Sequence, residues 1–571
     1  MIQVNETMNT SYVKAISLVV ALANKIIDEL DFEEVINKNI TWDRDHWGIS
    51  PGKLAKTLVL STFTDMRIPL THIQDRLSEM DLRYLIGEEA MEHNINAFNM
   101  GRALERIGAA DVNKPYETMV LSAMYKYDIT TKRIHNDTTT ISFHGVYDIE
   151  KMNLTEKERA EVLQIEKGYN KDGRAGDCQI VMGQMVGEHG IPLVSRALNG
   201  ATSDTDWNKQ ALDYFDKLRN EGFGDCIYVA DCKLVNQELV ERMNNPESRI
   251  AFLSRCPANF DNRLTRKMVG RAYATNKWTE IGELSKSKKA SRYCGISFIE
   301  NVYGIPMRLL VLESSTLHAK AEQSLERAKD NLSKLVKALE KKEFACRADA
   351  EKEYSSFIKM KELRLFSIKA EIIHLTKEKW PPGRRGASTK PILTETYRIK
   401  ATDIAFDEEK RKELIQNEST FVLISNVTDD TTTDGELLKL YKGQHVVETS
   451  FRHLKDPSLA SVIYLKNPKR IEALTMLLNF SLLIRAIIQY RMRSGLKKHL
   501  AEKPDVPIYA GWAGRPLVAP TYKLFYEHSI NCRYEHVQRG EYRFVWPNIE
   551  IKELILPLLE LMELTPTSIL Q

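Results

Sequence analysis

From about residue 125 the apolar residues leave the 3.6-residue period of a helix for the two-residue period of a strand, and the two periods then alternate. "YDITTKRIHND" reads as a strand ending at Asp137, and "CQIVMGQMV" and "IPLVSRAL" as two strands around the turn "GEHG". A helix, "DTDWNKQALDYFDKLRNEG", precedes a short buried strand, "CIYVAD", that ends at Asp231. A second helix, "LVNQELVERM", leads to the strand "RIAFLSRC". Three strands joined by hairpins and two reached through helical crossovers make an α/β fold (mixed α and β) with a mixed five-stranded sheet.

The flanks read differently. Residues 1–115 are a helical N-terminal region: "YVKAISLVVALANKIIDEL", "SPGKLAKTLVLSTFTDM", where Ser50 caps and Pro51 takes the first helical position, then "LTHIQDRLSEM" and "NMGRALERIG". The sheet's first part occupies 116–256. A block from 257 to 433 looks inserted: strands around "ISFIENVYGIPMRLLVLES", a Lys/Glu/Ala-dense segment from about Ser315 to Lys379 read as a helical hairpin, the breaker "KWPPGRRGASTKP", and the strands "TETYRIKATDIAF" and "STFVLISNV". Helices return over 434–500, and 501–571 form a C-terminal region.

Length and charge limit the rest. A chain of 571 residues exceeds one ordinary core, and its 81 Lys plus Arg against 78 Asp plus Glu leave +3, so a nucleic-acid site must be a local patch. Seven cysteines without a CxxC pair point to a reducing, cytoplasmic setting and away from structural zinc. The N-terminus lacks the basic start and apolar run of a secretory signal. "IEALTMLLNFSLLIRAII" carries Glu472 and Arg485, which favours a buried helix over a membrane span.

Two acids stand out by position. Asp137 and Asp231 each close a strand, at the edge where open α/β sheets gather ligands, although each can equally cap a turn or a helix. Asp172, Asp177, Asp204, Asp206 and Asp225 compete with them; Asp225 lies at the far end of its strand, and Asp204 and Asp206 look like caps for the helix from Trp207. In "LYKGQHVVETSFRHLKDP", Tyr441, Gln444, Glu448, Arg452 and Lys455 fall within an arc of roughly 80° on a continuous helix, beside an apolar arc of Leu440, Val447, Phe451 and Leu454. The plain alternative is a solvated face with Glu448 bridging to Arg452. Asp137, Asp231 and Glu448 together offer hard oxygen donors that suit Mg²⁺ or Mn²⁺, two ions serving phosphodiester chemistry.

The tetrad Tyr441, Gln444, Glu448, Lys455 keeps the spacing of the "YREK" signature and resembles the DDE transposases of bacterial and archaeal insertion sequences, with Gln444 where the family has Arg. "NDTTT" and "YVAD" are similar to the segments around that family's two aspartates, and "GATSD" (Gly200 to Asp204) to its "GNTSD". "KGYNKDGRAGDCQ" resembles "GYSKDHRPDLKQ", with Gly173 where His is usual, and "KRIEALTMLLNFSLLI" the helix after the catalytic Glu. The likeness covers about residues 45 to 530. It implies an RNase H-like core interrupted by an insertion, and a metal triad of Asp137, Asp231 and Glu448. It also implies phosphate and strand contacts from Lys455, Arg452, Tyr441 and Gln444. DNA would be the partner, as terminal inverted repeats and target, with no membrane role and a homodimer pairing two ends. A nuclease without strand transfer, and a silent DNA-binding protein, are the other readings.

Overall fold

A computed structural model describes residues 14–64, 72–77, 80–87, 94–145, 147, 155–174, 176–220, 226–247, 249–258, 260, 263–284, 290–380, 382, 390–429, 432–456, 465–510, 514–538 and 541–571. Asp225 and most of the breaker after Trp380 lie outside these residues. The chain forms two compact units, Met1–Phe252 with Leu440–Gln571, and Leu253–Lys439.

Among the described residues the first unit opens on a short strand rather than a helix, β1 (Ala15–Ser17), after which Ser17 caps the helix Leu18–Glu29 by accepting from the Val20 amide at 3.4 Å. Ser50 caps the helix Pro51–Ser61 through Lys53 N–H at 3.1 Å, with Pro51 at its start as expected. The sheet follows as β2 (Arg133–Phe143), β3 (Cys178–Gly187), β4 (Pro192–Leu198) and β5 (Ile227–Ala230), in the order β4-β3-β2-β5. β2 pairs antiparallel with β3 and parallel with β5, and the helix Asp204–Leu218 makes the crossover from β4 to β5. Tyr228 N–H donates to the Ala251 carbonyl at 2.8 Å, which draws the next stretch of chain alongside β5. These directions, antiparallel from β4 to β2 and parallel from β2 to β5, are those expected of an RNase H-like core.

Two expectations about these strands need correction. β2 does not end at Asp137 but continues through "TTTISF", because β-branched Thr138, Thr139, Thr140 and Ile141 stay extended and pair with β3 as far as Phe143↔Cys178. The fifth strand, β6 (Phe252–Arg255), is not an edge: in the second unit its residues pair antiparallel with a further strand, so the count exceeds five.

That second unit contains β7 (Thr279–Glu283), β8 (Arg292–Val302), β9 (Ile305–Ser314), β10 (Phe366–Lys379), β11 (Ile392–Phe406) and β12 (Thr420–Ser425). Its main sheet runs β6-β12-β9-β8-β7, and β10 with β11 forms a separate two-stranded ribbon. The expected helical hairpin is cut short. Helices Ser315–Glu340 and Arg347–Phe357 are present, but Phe366–Lys379 is strand, its Phe366, Ile368, Ala370 and Ile372 alternating with polar residues. Leu332, Val336, Leu339, Ala350, Phe357 and Ile399 make this unit's small core.

Back in the first unit, the helix Pro468–Glu502 is long and apolar enough to cross a membrane by length and composition, yet 83% of its most apolar stretch is buried inside the protein. It packs on the helices Pro51–Ser61 and Ala97–Gly108, on β4 and on the helix Ile549–Leu561. The hairpin β13 (Arg533–Gln538) and β14 (Glu541–Val545) joins β1 in a three-stranded sheet, Ala15 opposite Glu535. Tyr542 Oη donates to Asp81 at 2.6 Å and Tyr84 Oη to the Leu570 carbonyl at 3.0 Å, so the N- and C-terminal parts form one layer.

Candidate active site

The parallel register of β2 and β5 puts His135 opposite Val229. Two residues further along each strand, Asp137 comes level with Asp231, at the point where β5 stops and β2 runs on. Burial and this proximity act on both carboxyls. Asp137 is pushed up to about 6 by burial, against the pull of Lys171 and of the Thr138 amide, with Asp231 and Asp204 raising it further. Asp231 is raised by burial and then by Asp204, while the Lys233 amide, Lys171 and an Asn208 hydrogen bond lower it. Asp231 also caps the turn Cys232–Leu234, accepting from Lys233 N–H at 3.1 Å, so the capping role and the site position coexist.

Asp204 belongs to the same cluster, which its sequence position hid. Ser203, not Asp204, is the cap of the helix Asp204–Leu218, and it exchanges hydrogen bonds with Asp206: the Asp206 amide donates to Ser203 Oγ at 3.2 Å and Ser203 Oγ donates to the Asp206 carboxylate at 2.7 Å. Asp204 is thereby left to accept from Thr138 Oγ1 and, at 3.0 Å, from Lys171 Nζ. Lys171 is the cation of the cluster. Its ammonium lies 3.8 Å from Asp137 Oδ1 and donates to Thr138 O at 3.0 Å and Thr138 Oγ1 at 2.6 Å.

Lys171 is held there by its loop. Asn170 donates to Ser142 Oγ at 2.8 Å and Gln179 Oε1 at 2.9 Å, and its own carbonyl oxygen accepts from the Asp172 and Arg174 amides at 2.9 and 3.1 Å. Gly173 turns the chain at φ +75°, a conformation a histidine there would adopt only with strain. Beneath the acids, Trp207 Nε1 donates to Asn136 Oδ1 at 2.7 Å and Asn136 Nδ2 to Asn208 Oδ1 at 2.9 Å, a buried chain that fixes the crossover helix to β2. Trp207 lies so close to β3 that a Cβ on Gly183 would stand 2.5 Å from its ring.

The Glu448 segment is not one continuous helix. Asp434–Lys442 and His445–Leu454 are separate helices, and between them the hydrogen bonds tighten to three-residue spacing, with Gln444 N–H to Tyr441 O at 3.1 Å and Val447 N–H to Gln444 O at 3.2 Å. Each residue then turns about 120°, so the uniform polar stripe of the sequence is split at the joint. The cause is Gly443, whose backbone lies on β2: a Cβ there would be 3.0 Å from the His135 imidazole. Tyr441 therefore sits on the earlier helix and Gln444 at the cap of the later one. Glu448 lies in its first turn, Arg452 in its last and Lys455 at its end.

The apolar side behaves as expected. Val447 and Phe451 pack on Val186, the β3 residue paired with His135, and Leu454 is fully buried. The helix thus lies over β2 and β3 on the face that bears His135. Glu448 and Arg452 point outward and are exposed, and no side-chain hydrogen bond or ion pair engages either of them among the described residues, so the i,i+4 bridge is not formed. Lys455 is engaged, donating to both carboxylate oxygens of Asp172 at 2.7 and 2.8 Å. Asp177 pairs with His144 at 3.3 Å.

For a divalent ion, Asp137 and Asp231 fit in donor type, and Asp137, raised chiefly by burial, is a carboxyl whose ionised form a cation would favour. Glu448 is not gathered with them: the described residues contain no group of three His, Cys, Asp or Glu side chains close enough to hold a metal ion. Lys171, Asp204 and Asp172 were not singled out by sequence as members of this site. Asp172 and Asp204 stood in the sequence only as competitors of Asp137 and Asp231, and the segments that hold all three, "KGYNKDG" and "GATSD", carried a family likeness but no assigned role.

The family comparison reaches only the helices before the sheet. Residues 12–121 match a model described as a domain of unknown function, DUF4277. No curated protein matches the chain. Among solved structures, the chain is similar to the piggyBac transposase synaptic complex with hairpin DNA, with a TM-score of 0.40 and 9% identity over 91% of this chain and 81% of that one.

Proposed function

We propose that the chain is a DDE transposase of the insertion-sequence type, which hydrolyses phosphodiester bonds at the ends of a mobile element and joins the freed 3′-hydroxyl to target DNA. The observation that carries this reading is the level placement of Asp137 and Asp231 across the parallel β2/β5 pair, with the Glu448 helix laid over β2. Asp137 and Asp231 would hold Mg²⁺ or Mn²⁺, two ions per site, and Glu448, which stands apart from them in the free chain, would have to turn in from the overlying helix to complete the set. Bound there, such ions lower the pKa of an attacking water or hydroxyl and offset charge on the leaving oxygen.

The chain's own residues do the rest. Lys171 keeps Asp137 more ionised than burial alone allows. Arg452, exposed at the end of the Glu448 helix, and Lys455 supply cations for the scissile region, where they make binding depend on salt. Tyr441 and Gln444, on either side of the Gly443 joint, orient the strand end, Gln444 by hydrogen bonding without charge. Two DNA ends call for a homodimer acting on DNA in the cytoplasm.

The test supplies an oligonucleotide carrying the element's terminal repeat, a target plasmid and Mg²⁺ or Mn²⁺. Cleaved and joined products are expected from the native chain and neither from Asp137→Asn, Asp231→Asn or Glu448→Gln. Metal-dependent cleavage that survives these substitutions overturns the site; cleavage without joining turns the reading to a nuclease of the same fold.

A further inference from the structure

A second basic site lies behind the Glu448 helix. Its far flank, with His445 and His453, closes a cavity of about 290 Å³ whose other walls come from the β3–β4 turn (His189), the long helix (Arg485, Arg493) and the start of the helix Tyr522–Ser529 (Lys523). No Asp or Glu lines it among the described residues. Acids stand close behind its lining: Glu188 pairs with Arg133 at 2.9 Å and lies 3.5 Å from the His189 imidazole, Glu527 pairs with Lys523 at 3.6 Å, and Asp456 acts on His453.

The polar groups in its wall are under-used. Tyr522 is 8% exposed, lines the cavity, and its buried hydroxyl has no hydrogen-bond partner; Arg485 Nε is also buried and unpartnered. Buried donors without partners are rare in folded proteins and mark places where a ligand or water belongs. Arg485 is nonetheless fixed, donating to the Thr62 carbonyl at 2.7 Å and stacking over Phe63 and Tyr522 at 5.4 and 5.2 Å. Arg493 donates to the Pro520 carbonyl at 3.0 Å. The cations are therefore pre-positioned rather than waving from the surface, which lowers the ordering cost of binding.

We propose that this cavity binds a single phosphate group, carried by a free nucleotide or by a DNA strand. Its volume is at the small end of ligand pockets, roughly 300–1,000 Å³, which suits one phosphorylated group. Three fixed or rim cations surround it, so a dianion would find several charge-assisted donors at once, with three imidazoles able to hydrogen-bond beside them. Because five of its lining residues lie on the Glu448 helix, occupancy would also brace that helix from behind. The inference stands apart from the transposase reading, since it uses none of the three acids.

The experiment is calorimetric titration of the full chain at constant ionic strength with inorganic phosphate, deoxyadenosine monophosphate and a six-nucleotide single strand, with chloride as control. Saturable binding is expected, weakened about fivefold or more by Lys523→Gln and by His445→Gln, which sit at the rim and leave the Arg485 packing intact. Lys320→Gln, on an exposed helix of the second unit, should change nothing, and Asp137→Asn should leave phosphate binding in place. Tighter binding of the strand than of the mononucleotide assigns the phosphate to DNA, and the reverse order to a free nucleotide. Absence of saturable binding, or binding indifferent to both rim substitutions, overturns the proposal.

Discussion

Lys455 is clamped by both carboxylate oxygens of Asp172, a residue of the loop that also delivers Lys171 to Asp137. The lysine the sequence assigns to DNA is thus paired in the free protein, with side chains 27% and 42% exposed. Breaking so exposed a pair should change stability by less than about 1 kcal/mol. Its effect on DNA should be larger. Asp172→Asn frees the ammonium and removes a negative charge, so DNA affinity is expected to rise several-fold at low salt, with a steeper salt dependence. Lys455→Met should lower affinity and reduce the slope by about one counterion. Fluorescence anisotropy across a salt series reads both.

Asp137 predicts a pH window for metal binding. Its folded pKa is raised to about 6 from 3.8, so without metal the ionised carboxylate is penalised as pH rises through that range. The sign follows: in chelator, Asp137→Asn should stabilise the protein at pH 8, by at most about 3 kcal/mol, and leave it unchanged at pH 3.5. Mg²⁺ or Mn²⁺ should raise the melting temperature of the native chain at pH 7.5 and lose that effect below pH 6, where a proton replaces the ion. Thermal melts over pH 3.5–8 with and without metal measure it.

His135 works in the opposite direction. It is 1% exposed, its Nδ1 has no partner, and burial with Arg133 and His445 holds its pKa down at about 4. The unfolded chain takes up the proton first, so stability present above pH 6.5 is lost as pH falls toward 4, by about 3 kcal/mol. His135→Gln should flatten the acid limb of a denaturant-midpoint curve. An unchanged limb would show that His135 is not buried as described.

Gly183→Ala should be costly for a steric reason. The added methyl would meet the Trp207 ring at 2.5 Å, where Trp207 is also pinned by Asn136. Overpacking of this kind costs about 1–3 kcal/mol, and here it would push the crossover helix away from Thr138. A lowered urea midpoint with unchanged slope, together with reduced metal response at Asp137, is the expected pair of results.

These residues also explain what could be read in advance. The order of strands and helices was legible because β3, β4 and β5 carry their period in apolar residues, and Asp137 and Asp231 stood out as the polar ends of such runs. β2 beyond Asp137 and β10 were not, since threonines in one and alternating Lys and Glu in the other conceal an extended chain whose partner strand decides it. The joint at Gly443 depends on His135, far away in sequence, and so interrupts a stripe that local geometry drew as continuous. Lys171 and Asp204 entered the site through Thr138, which the sequence placed only within the segment "NDTTT".

The three-stranded sheet of β1, β13 and β14 has a consequence for synthesis. β1 emerges from the ribosome first among the described strands, yet its neighbour in that sheet, β13, is among the last. Leu18 N–H likewise awaits the Cys532 carbonyl. A nascent chain therefore carries its aspartates long before it can close the layer formed by its N- and C-terminal parts. Prematurely stopped products would hold β1 with an unfilled edge, open to any other extended segment, and ready more for aggregation than for work on DNA.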